Sequence, residues 1–295
     1  MEQFMNNMKK DIVVGINPLL VTFRCNLRCK LCSTGTPYKK NKADFPLEQL
    51  KSVVHRQFRI VKFIRKLSLG GGEPILHKQL PEFIEFLMSE YVERFETLEI
   101  LSNGVEMPSE KLLNTLQKYK DAIYVMLDDY GELSRCVRQT SDTLSNYGVK
   151  HDIRCYYGEN AYCGGWLDQG DFTHKFDRDC AINNIRLCIS ASLSKNNHGV
   201  DKRLWRFSDE EFFIKYVCTV GDKMTRCARA VSTYEAGMIP NDPDSFVNLL
   251  DYSKSIEQLR EELMDLFSKD YYPACEYCNG YSADGERFPP AEQLC

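Results

Sequence analysis

Apolar residues recur along the first two thirds of the chain at two alternating periods, and each change of period marks a change of element. Ile12-Val13-Val14 and Pro18 through Phe23 read as strands. From Leu47, the residues Leu50, Val53, Val54, Phe58 and Val61 fall at helical spacing, and Lys66-Leu67-Ser68-Leu69 then gives a short strand. Leu80, Phe83, Ile84 and Leu87 mark the next helix. Thr97 through Leu101 is a strand ending in the turn signal Ser102-Asn103-Gly104, and a helix follows to Tyr119 from Ser109, a residue suited to cap it. Ala122 through Leu127 is a strand ending in Asp128-Asp129, after which come a helix near Glu132 to Asn146 and a strand from Val149 to Tyr156. Tyr162 to Asp179 reads as loop and short helix, and Ile185-Arg186-Leu187-Cys188-Ile189 is the last strand predicted in the series. Strands alternating with helices predict a parallel sheet with helical crossovers. Pattern alone leaves a partial barrel and an open doubly wound sheet both standing. In either, the chemistry belongs at the carboxyl ends of the strands, where Cys25, Gly71, Asn103, Asp128 and Tyr156 fall.

The rhythm then breaks. Residues 191–207 are polar and read as a linker, with His198 beside Gly199 as a turn residue. From Phe213 to Cys227 two β-prone segments flank Gly221-Asp222, a hairpin signal that sets Cys218 and Cys227 near its base on adjacent strands. Ile256, Leu259, Leu263, Leu266 and Phe267 form one apolar helix face, opposite a solvated face with Glu257, Arg260, Glu261 and Glu262. Cys275-Glu276-Tyr277-Cys278 follows directly.

Of the 295 residues, 43% are hydrophobic and 27% charged, the balance of a globular chain. The net charge of -4 is spread without blocks, so nothing asks for nucleic acid or an anionic membrane as partner. No membrane span or signal peptide is recognisable, and the expectation is a reducing cytoplasm. Thirteen cysteines in that compartment need a purpose. Their odd number argues against a closed disulfide scaffold, and their grouping argues for metal ligation. Cys136 and Cys155 are expected in the core, and Cys295 free or disordered.

Cys25, Cys29 and Cys32 stand within eight residues of sequence. Three thiolates can hold three irons of a [4Fe-4S] cube and leave the fourth open to a non-protein ligand. Gly70-Gly71-Gly72-Glu73-Pro74, after the next strand, has no side-chain bulk at three successive positions and can bring its backbone close to a ligand. Together, the C-x3-C-x2-C loop and the G-G-E-P loop resemble the signature of radical S-adenosylmethionine (radical SAM) enzymes. The resemblance covers roughly residues 12–190 and implies a partial (β/α)6 TIM-like barrel. It further implies that S-adenosylmethionine chelates the open iron and is reductively cleaved to a 5'-deoxyadenosyl radical. Gly70, Gly71, Gly72 and Glu73 would then take its methionine end, with Ser102, Asn103 and Asp128 holding its ribose and carboxylate. Many members carry an aromatic residue just before the third cysteine, where this chain has Leu31. A structural zinc site is the bland alternative for the three thiols, although a zinc ribbon normally shows two C-x2-C pairs.

Residues 208–295, an α+β segment, resemble the shortened auxiliary-cluster modules called twitch, a reduced form of SPASM. That likeness implies a second [4Fe-4S] cluster held by Cys218, Cys227, Cys275 and Cys278, with Cys180 and Cys188 as spare ligands. Four thiolates also suit zinc. The activity implied is a radical SAM oxidoreductase that takes hydrogen from a small polar substrate, of the sugar or nucleotide-linked kind, with net oxidation. Flavodoxin or ferredoxin would supply electrons. Peptide-modifying relatives often carry a leader-binding domain, and no such domain is recognisable here, which places a peptide maturase second. An epimerase using Cys163 as hydrogen donor, and a non-enzymatic metal-binding interaction protein, are the remaining alternatives.

Overall fold

Asp11–Thr22 form a single strand, β1, where the pattern predicts two. Pro18 lies inside it and has no N–H to give to a neighbouring strand. The side chain of Asn17 substitutes: its Nδ2 donates to Val217 O at 2.8 Å and to Thr219 Oγ1 at 3.1 Å. The strand therefore runs unbroken to the cysteine loop. The structure, a computed structural model, describes residues 10–159, 161–193, 208–240, 242–280 and 286–294, with backbone alone at 185–187 and 189–193. His198, most of the linker and Cys295 lie outside the described residues.

Strands β2 (Phe63–Gly71), β3 (Phe95–Ser102), β4 (Ile123–Asp129) and β5 (Lys150–Cys155) add in parallel on one side of β1, in the order β5-β4-β3-β2-β1. On its other side β1 pairs in parallel with β6 (Glu211–Tyr216) and then with β7 (Cys218–Val220). The short strands β8 (Lys223–Thr225) and β9 (Val247–Asn248) extend the sheet in antiparallel fashion. Helices α1 (Leu47–Ile60), α2 (Leu80–Glu90), α3 (Glu110–Lys118) and α4 (Val137–Asn146) make the crossovers. They share one core with α7 (Ile256–Ser268), against a single face of the sheet. Helices on one face of an unclosed parallel sheet make a partial barrel, and the doubly wound alternative, with helices on both faces, falls away.

The predicted stripes are the buried ones. Leu50, Val53, Val54 and Phe58 of α1 and Leu80, Phe83, Ile84 and Leu87 of α2 meet Leu67, Leu69, Leu98 and Ile100 of the sheet. Ser109 caps α3 by accepting the Leu112 N–H at 3.2 Å. Ser255 and Gln258 form a reciprocal capping box on α7. Truncating a side chain as enclosed as Phe83 to alanine costs about 3–5 kcal/mol.

One predicted strand is a helix. Ile185–Ile189 lies within α5 (Arg178–Leu193), whose first turn is started by the Asp177 carboxylate accepting the Cys180 N–H at 2.8 Å. A short apolar run has no period long enough to separate strand from helix. The sixth parallel strand is instead β6, which pairs with β1 from within the segment 208–295. Among the described residues no helix is long and apolar enough to cross a membrane.

Candidate active site

Because Leu67, Leu69, Leu98, Ile100, Ile123, Val125 and Leu127 face the helices, their alternates Ser68, Glu99, Tyr124 and Asp128 face the concave side. That side is polar and internally paired. Glu99, nearly inaccessible, meets Lys66 Nζ at 3.0 Å and Ser68 Oγ at 2.6 Å. Tyr124 donates to Asp152 at 2.5 Å, and Arg154 Nε donates to Asp128 at 2.7 Å. Burial pushes the Asp128 carboxyl up, with Arg154 acting against it.

The rim above this face is where the predicted residues gather. Cys25, Cys29 and Cys32 follow the end of β1 and share one apolar cluster with Leu27, Val105, Tyr130, Leu133, Trp166 and Ala291. Each sulfur has a polar neighbour. Leu27 N–H lies 3.4 Å and Asn103 Nδ2 3.7 Å from Cys25 Sγ, Gln293 Nε2 lies 3.4 Å from Cys29 Sγ, and Thr34 Oγ1 lies 3.2 Å from Cys32 Sγ. Burial pushes the Cys25 thiol up to about 12, the Leu27 N–H opposing and the charges of Glu73, Cys32 and Cys29 adding. Cys29 is pushed up to about 11, again by burial first, with Gln293 opposing.

The glycine loop is joined to the cysteine loop by backbone. Gly72 N–H donates to Thr22 O at 2.8 Å and Glu73 N–H to Arg24 O at 2.7 Å. A Cβ on Gly71, which has φ +129°, would come within 2.2 Å of Thr22 O, and one on Gly72 within 2.0 Å of Arg24 O. These glycines bring the two loops together, a role distinct from the predicted approach to a ligand. Gly70 is different, since an added Cβ would meet only Leu101 Cδ1 at 3.5 Å. Glu73 is buried and spans β2 to β3, its Oε2 accepting the Asn103 N–H at 2.7 Å. Burial pushes its carboxyl up to about 7, against hydrogen bonds from Asn103, Ser102 and Ile75 and in concert with Asp128. Asn103 Nδ2 also donates to Asn26 Oδ1 at 2.8 Å, and Ser102 Oγ accepts the Gly104 N–H at 3.3 Å. Glu73, Ser102 and Asn103 thus form one hydrogen-bonded group beside Cys25, with Asp128 next to it.

Tyr156, placed by the sequence at a strand end, is joined on the rim by residues that carried no such signal. Tyr130 and Tyr156 lie 4.8 Å apart between ring centres, Tyr130 and Trp166 5.7 Å, and the Arg154 guanidinium stands 5.1 Å from the Tyr162 ring. The segment 288–294 covers the cysteine loop: Lys30 N–H donates to Glu292 O at 2.7 Å, Leu294 N–H to Arg28 O at 2.8 Å, and Arg28 N–H to Gln293 Oε1 at 2.7 Å. Nothing local in sequence links residues so far apart. Cys163 sits in a left-handed conformation, φ +57°, and its charge reaches Tyr156 and Tyr162. Cys136 and Cys155, expected in the core, are only half-buried.

The late cysteines come together around Cys227. Its charge reaches Cys218, Cys275 and Cys278, and that of Cys278 reaches Cys275. Cys227, Cys275 and Cys278 pack on Tyr272, Phe172 and Ile239, while Cys218 lies in a neighbouring cluster with Leu20 and Val231. Burial pushes Cys275 up to about 12 and Cys278 up to about 11. The spare candidates are close by on α5: Asn184 Nδ2 donates to Cys278 O at 2.7 Å and lies 3.9 Å from Cys180 Sγ, and Cys188 affects Tyr272.

Among the described residues no three His, Cys, Asp or Glu side chains already stand in the arrangement of a metal site. The chemistry of both donor sets nevertheless fits iron-sulfur ligation, with sulfur donors only, in apolar surroundings. In the first set N–H and O–H groups are directed at the sulfurs, as ligating thiolates require.

Residues 19–155 match the family model of the Radical SAM superfamily. A GTP 3',8-cyclase of Sulfurimonas denitrificans is 34% identical over 116 residues, 38% of this chain and 33% of its own length. A 7,8-dihydro-6-hydroxymethylpterin dimethyltransferase of Methanocaldococcus jannaschii is 25% identical over 143 residues, 47% of this chain and 26% of its own. The chain thus spans about a third or less of the length of these curated relatives. Among solved structures, BtrN in complex with AdoMet and 2-DOIA aligns over 96% of this chain and 100% of its own, at 16% identity and a TM-score of 0.49.

Proposed function

We propose, from the premise that residues 19–155 of this chain form a radical SAM superfamily domain, that the protein is an oxidoreductase acting on a small polar molecule. The observation that carries the reading is the union of the two loops. Three thiols with polar groups directed at their sulfurs are joined by backbone hydrogen bonds to a glycine loop that ends in the buried Glu73.

In this reading Cys25, Cys29 and Cys32 hold a [4Fe-4S] cluster, and Cys218, Cys227, Cys275 and Cys278 hold a second. When bound, the first cluster and S-adenosylmethionine supply the electron and the carbon radical that removes hydrogen from substrate, and the second cluster accepts the electron left behind. The protein's own residues orient and enclose. Gly70, Gly71, Gly72 and Glu73 border the cofactor's methionine end, and Ser102, Asn103 and Asp128 its ribose and carboxylate. Glu73 fixes the ends of β2 and β3 relative to each other by accepting the Asn103 N–H. Tyr130, Tyr156 and Trp166 exclude water from the rim. The paired groups of the concave face, Lys66 with Glu99 and Arg154 with Asp128, favour a polar substrate. Residues 12–190 serve as the core and 208–295 as a twitch/SPASM-like module, with flavodoxin or ferredoxin as electron donor.

A second reading has one observation in its favour. The charge of Cys163 reaches Tyr156 and Tyr162 of the rim, and in this reading its thiol returns a hydrogen atom and gives an epimer. Anaerobic reduction in the presence of S-adenosylmethionine tests the primary assignment. The parent forms 5'-deoxyadenosine and Cys29→Ala forms none; equal product from both would remove the chemistry.

A further inference from the structure

The cysteine loop is clamped to α6 (Ala228–Glu235) by two contacts. Lys39 forms an ion pair with Glu235, and Arg229 Nη1 donates to Cys32 O at 2.6 Å. Between the loop and this helix lies a cavity of about 210 Å³, with Lys30, Asp168, Asp171, Phe172, Arg229 and Ser232 in its lining. Two of these side chains are buried with polar atoms that meet nothing. Arg229 is 5% exposed and its Nε has no hydrogen-bond partner, and Ser232 is 1% exposed and its Oγ has none.

The rest of the guanidinium is engaged, and its charge favours the thiolate of Cys278. Besides the Cys32 carbonyl, it stands 5.1 Å from the centre of the Phe172 ring. Among the described residues no carboxylate lies within ion-pair distance of Arg229. A buried cation with an unused N–H, next to an unused hydroxyl on the same helix, is costly unless something negative completes it. Arginine presents its N–H groups in a planar fork that matches carboxylate and phosphate oxygens. Asp168 and Asp171, both exposed, add acceptors at the mouth of the same cavity.

We infer that this cavity binds the oxyanion end of a small molecule, a carboxylate or phosphate accepting from Arg229 Nε and Ser232 Oγ, whose hydroxyl or ammonium groups meet Asp168 and Asp171. The inference names the recognition chemistry of the substrate in the reading above and rests on that reading. None of the residues assigned to S-adenosylmethionine lines the cavity, although Leu31 of the cysteine loop does.

The test is calorimetric titration of the anaerobic, cluster-loaded full chain with inorganic phosphate and, separately, with gluconate. Saturable binding of either is expected, phosphate the tighter for a phosphate ester and gluconate for a carboxylate. Arg229→Gln weakens it about tenfold or more, the scale of a charge-assisted contact, and Ser232→Ala about threefold, the latter with iron content unchanged. Should Arg229→Gln fail to fold, Ser232→Ala and the charge-retaining Arg229→Lys decide. Absence of saturable binding, affinity indifferent to these substitutions, or displacement of the probe by S-adenosylmethionine would each overturn the inference. The same preparation is assayed for 5'-deoxyadenosine. Cleavage without anion binding sinks the inference and leaves the proposed function; anion binding without cleavage sinks the proposed function and leaves an anion site.

Discussion

Cys25, Cys29 and Cys32 leave one strand end within a single loop, whereas Cys218, Cys227, Cys275 and Cys278 arrive from β7, the start of α6 and a turn beyond α7. The first set is held by backbone. Its loop is bonded to the glycine loop on one side and to residues 292–294 on the other, and amide or hydroxyl groups approach its sulfurs. The second set is held by side-chain packing, Cys227, Cys275 and Cys278 in a small cluster around Tyr272, Phe172 and Ile239 and Cys218 in a neighbouring one with Leu20 and Val231. A site made from one loop tolerates change in distant packing; a site made from three elements depends on all of them staying docked.

The largest expected effect breaks the backbone junction. Gly72→Ala puts a Cβ 2.0 Å from the Arg24 carbonyl and should cost about 3 kcal/mol or more, with loss of the iron held by the first set. Gly70→Ala, with its nearest contact at 3.5 Å, should stay within about 1 kcal/mol of the parent. Thermal melts of the two variants make the comparison, and similar melting temperatures would mean that the junction is not what holds the loop.

Next is a pH effect at the same junction. Glu73 is buried with its carboxyl raised to about 7, well above its ordinary range near 4.3 in an unfolded chain. The native state therefore keeps a proton that the unfolded state has released. The stability this gives is complete below about pH 4.3 and is lost as pH rises through 7, an effect on the order of 3–4 kcal/mol. Glu73→Gln keeps an oxygen for the Asn103 N–H and should remove this part of the slope. Denaturant titrations of the metal-free parent and variant between pH 5 and 8 read the difference; parallel curves would contradict it.

Much of the first region was legible because its determinants are local. The stripes of α1 and α2, the cap at Ser109 and the order of strand ends all follow from spacing of a few residues, and so does the placement of Cys25, Gly71, Asn103 and Asp128 on one rim. The rest depended on tertiary pairing. Ile185 through Ile189 reads equally as strand or helix; it lies in the helix α5, which Asn184 joins to the Cys278 carbonyl. The fusion of two predicted strands into β1 turned on Asn17 making up for Pro18, across some two hundred residues of sequence. Gln293 was invisible for the same reason: its partner, Cys29, is 264 positions away.

A smaller effect sharpens the contrast from the second region. Arg226 Nη1 donates to Lys269 O at 2.7 Å and ties the approach to Cys227 to the end of α7. Arg226→Ala should cost about 1–2 kcal/mol and lower iron in the second set, while S-adenosylmethionine cleavage persists. Loss of cleavage would show the two sets to be mechanically coupled. Smallest of all, Gln293→Ala should cost about 1 kcal/mol, leave iron content unchanged and move the reduction midpoint of the first cluster negative, since it removes one N–H directed at Cys29 sulfur. Potentiometric titration followed by electron paramagnetic resonance reads this shift, and an unmoved midpoint would leave Gln293 as packing alone.

The most direct measurement is iron and sulfide per chain, with Mössbauer spectra, after anaerobic reconstitution of three proteins. The parent should hold about eight irons as two [4Fe-4S] clusters. The variant with Cys25, Cys29 and Cys32 all replaced by alanine should hold about four, and so should the variant lacking Cys218, Cys227, Cys275 and Cys278, with only the latter still cleaving S-adenosylmethionine. Eight irons retained in either variant, zinc in place of the second cluster, or loss of all iron from both would contradict two separately built thiol sites.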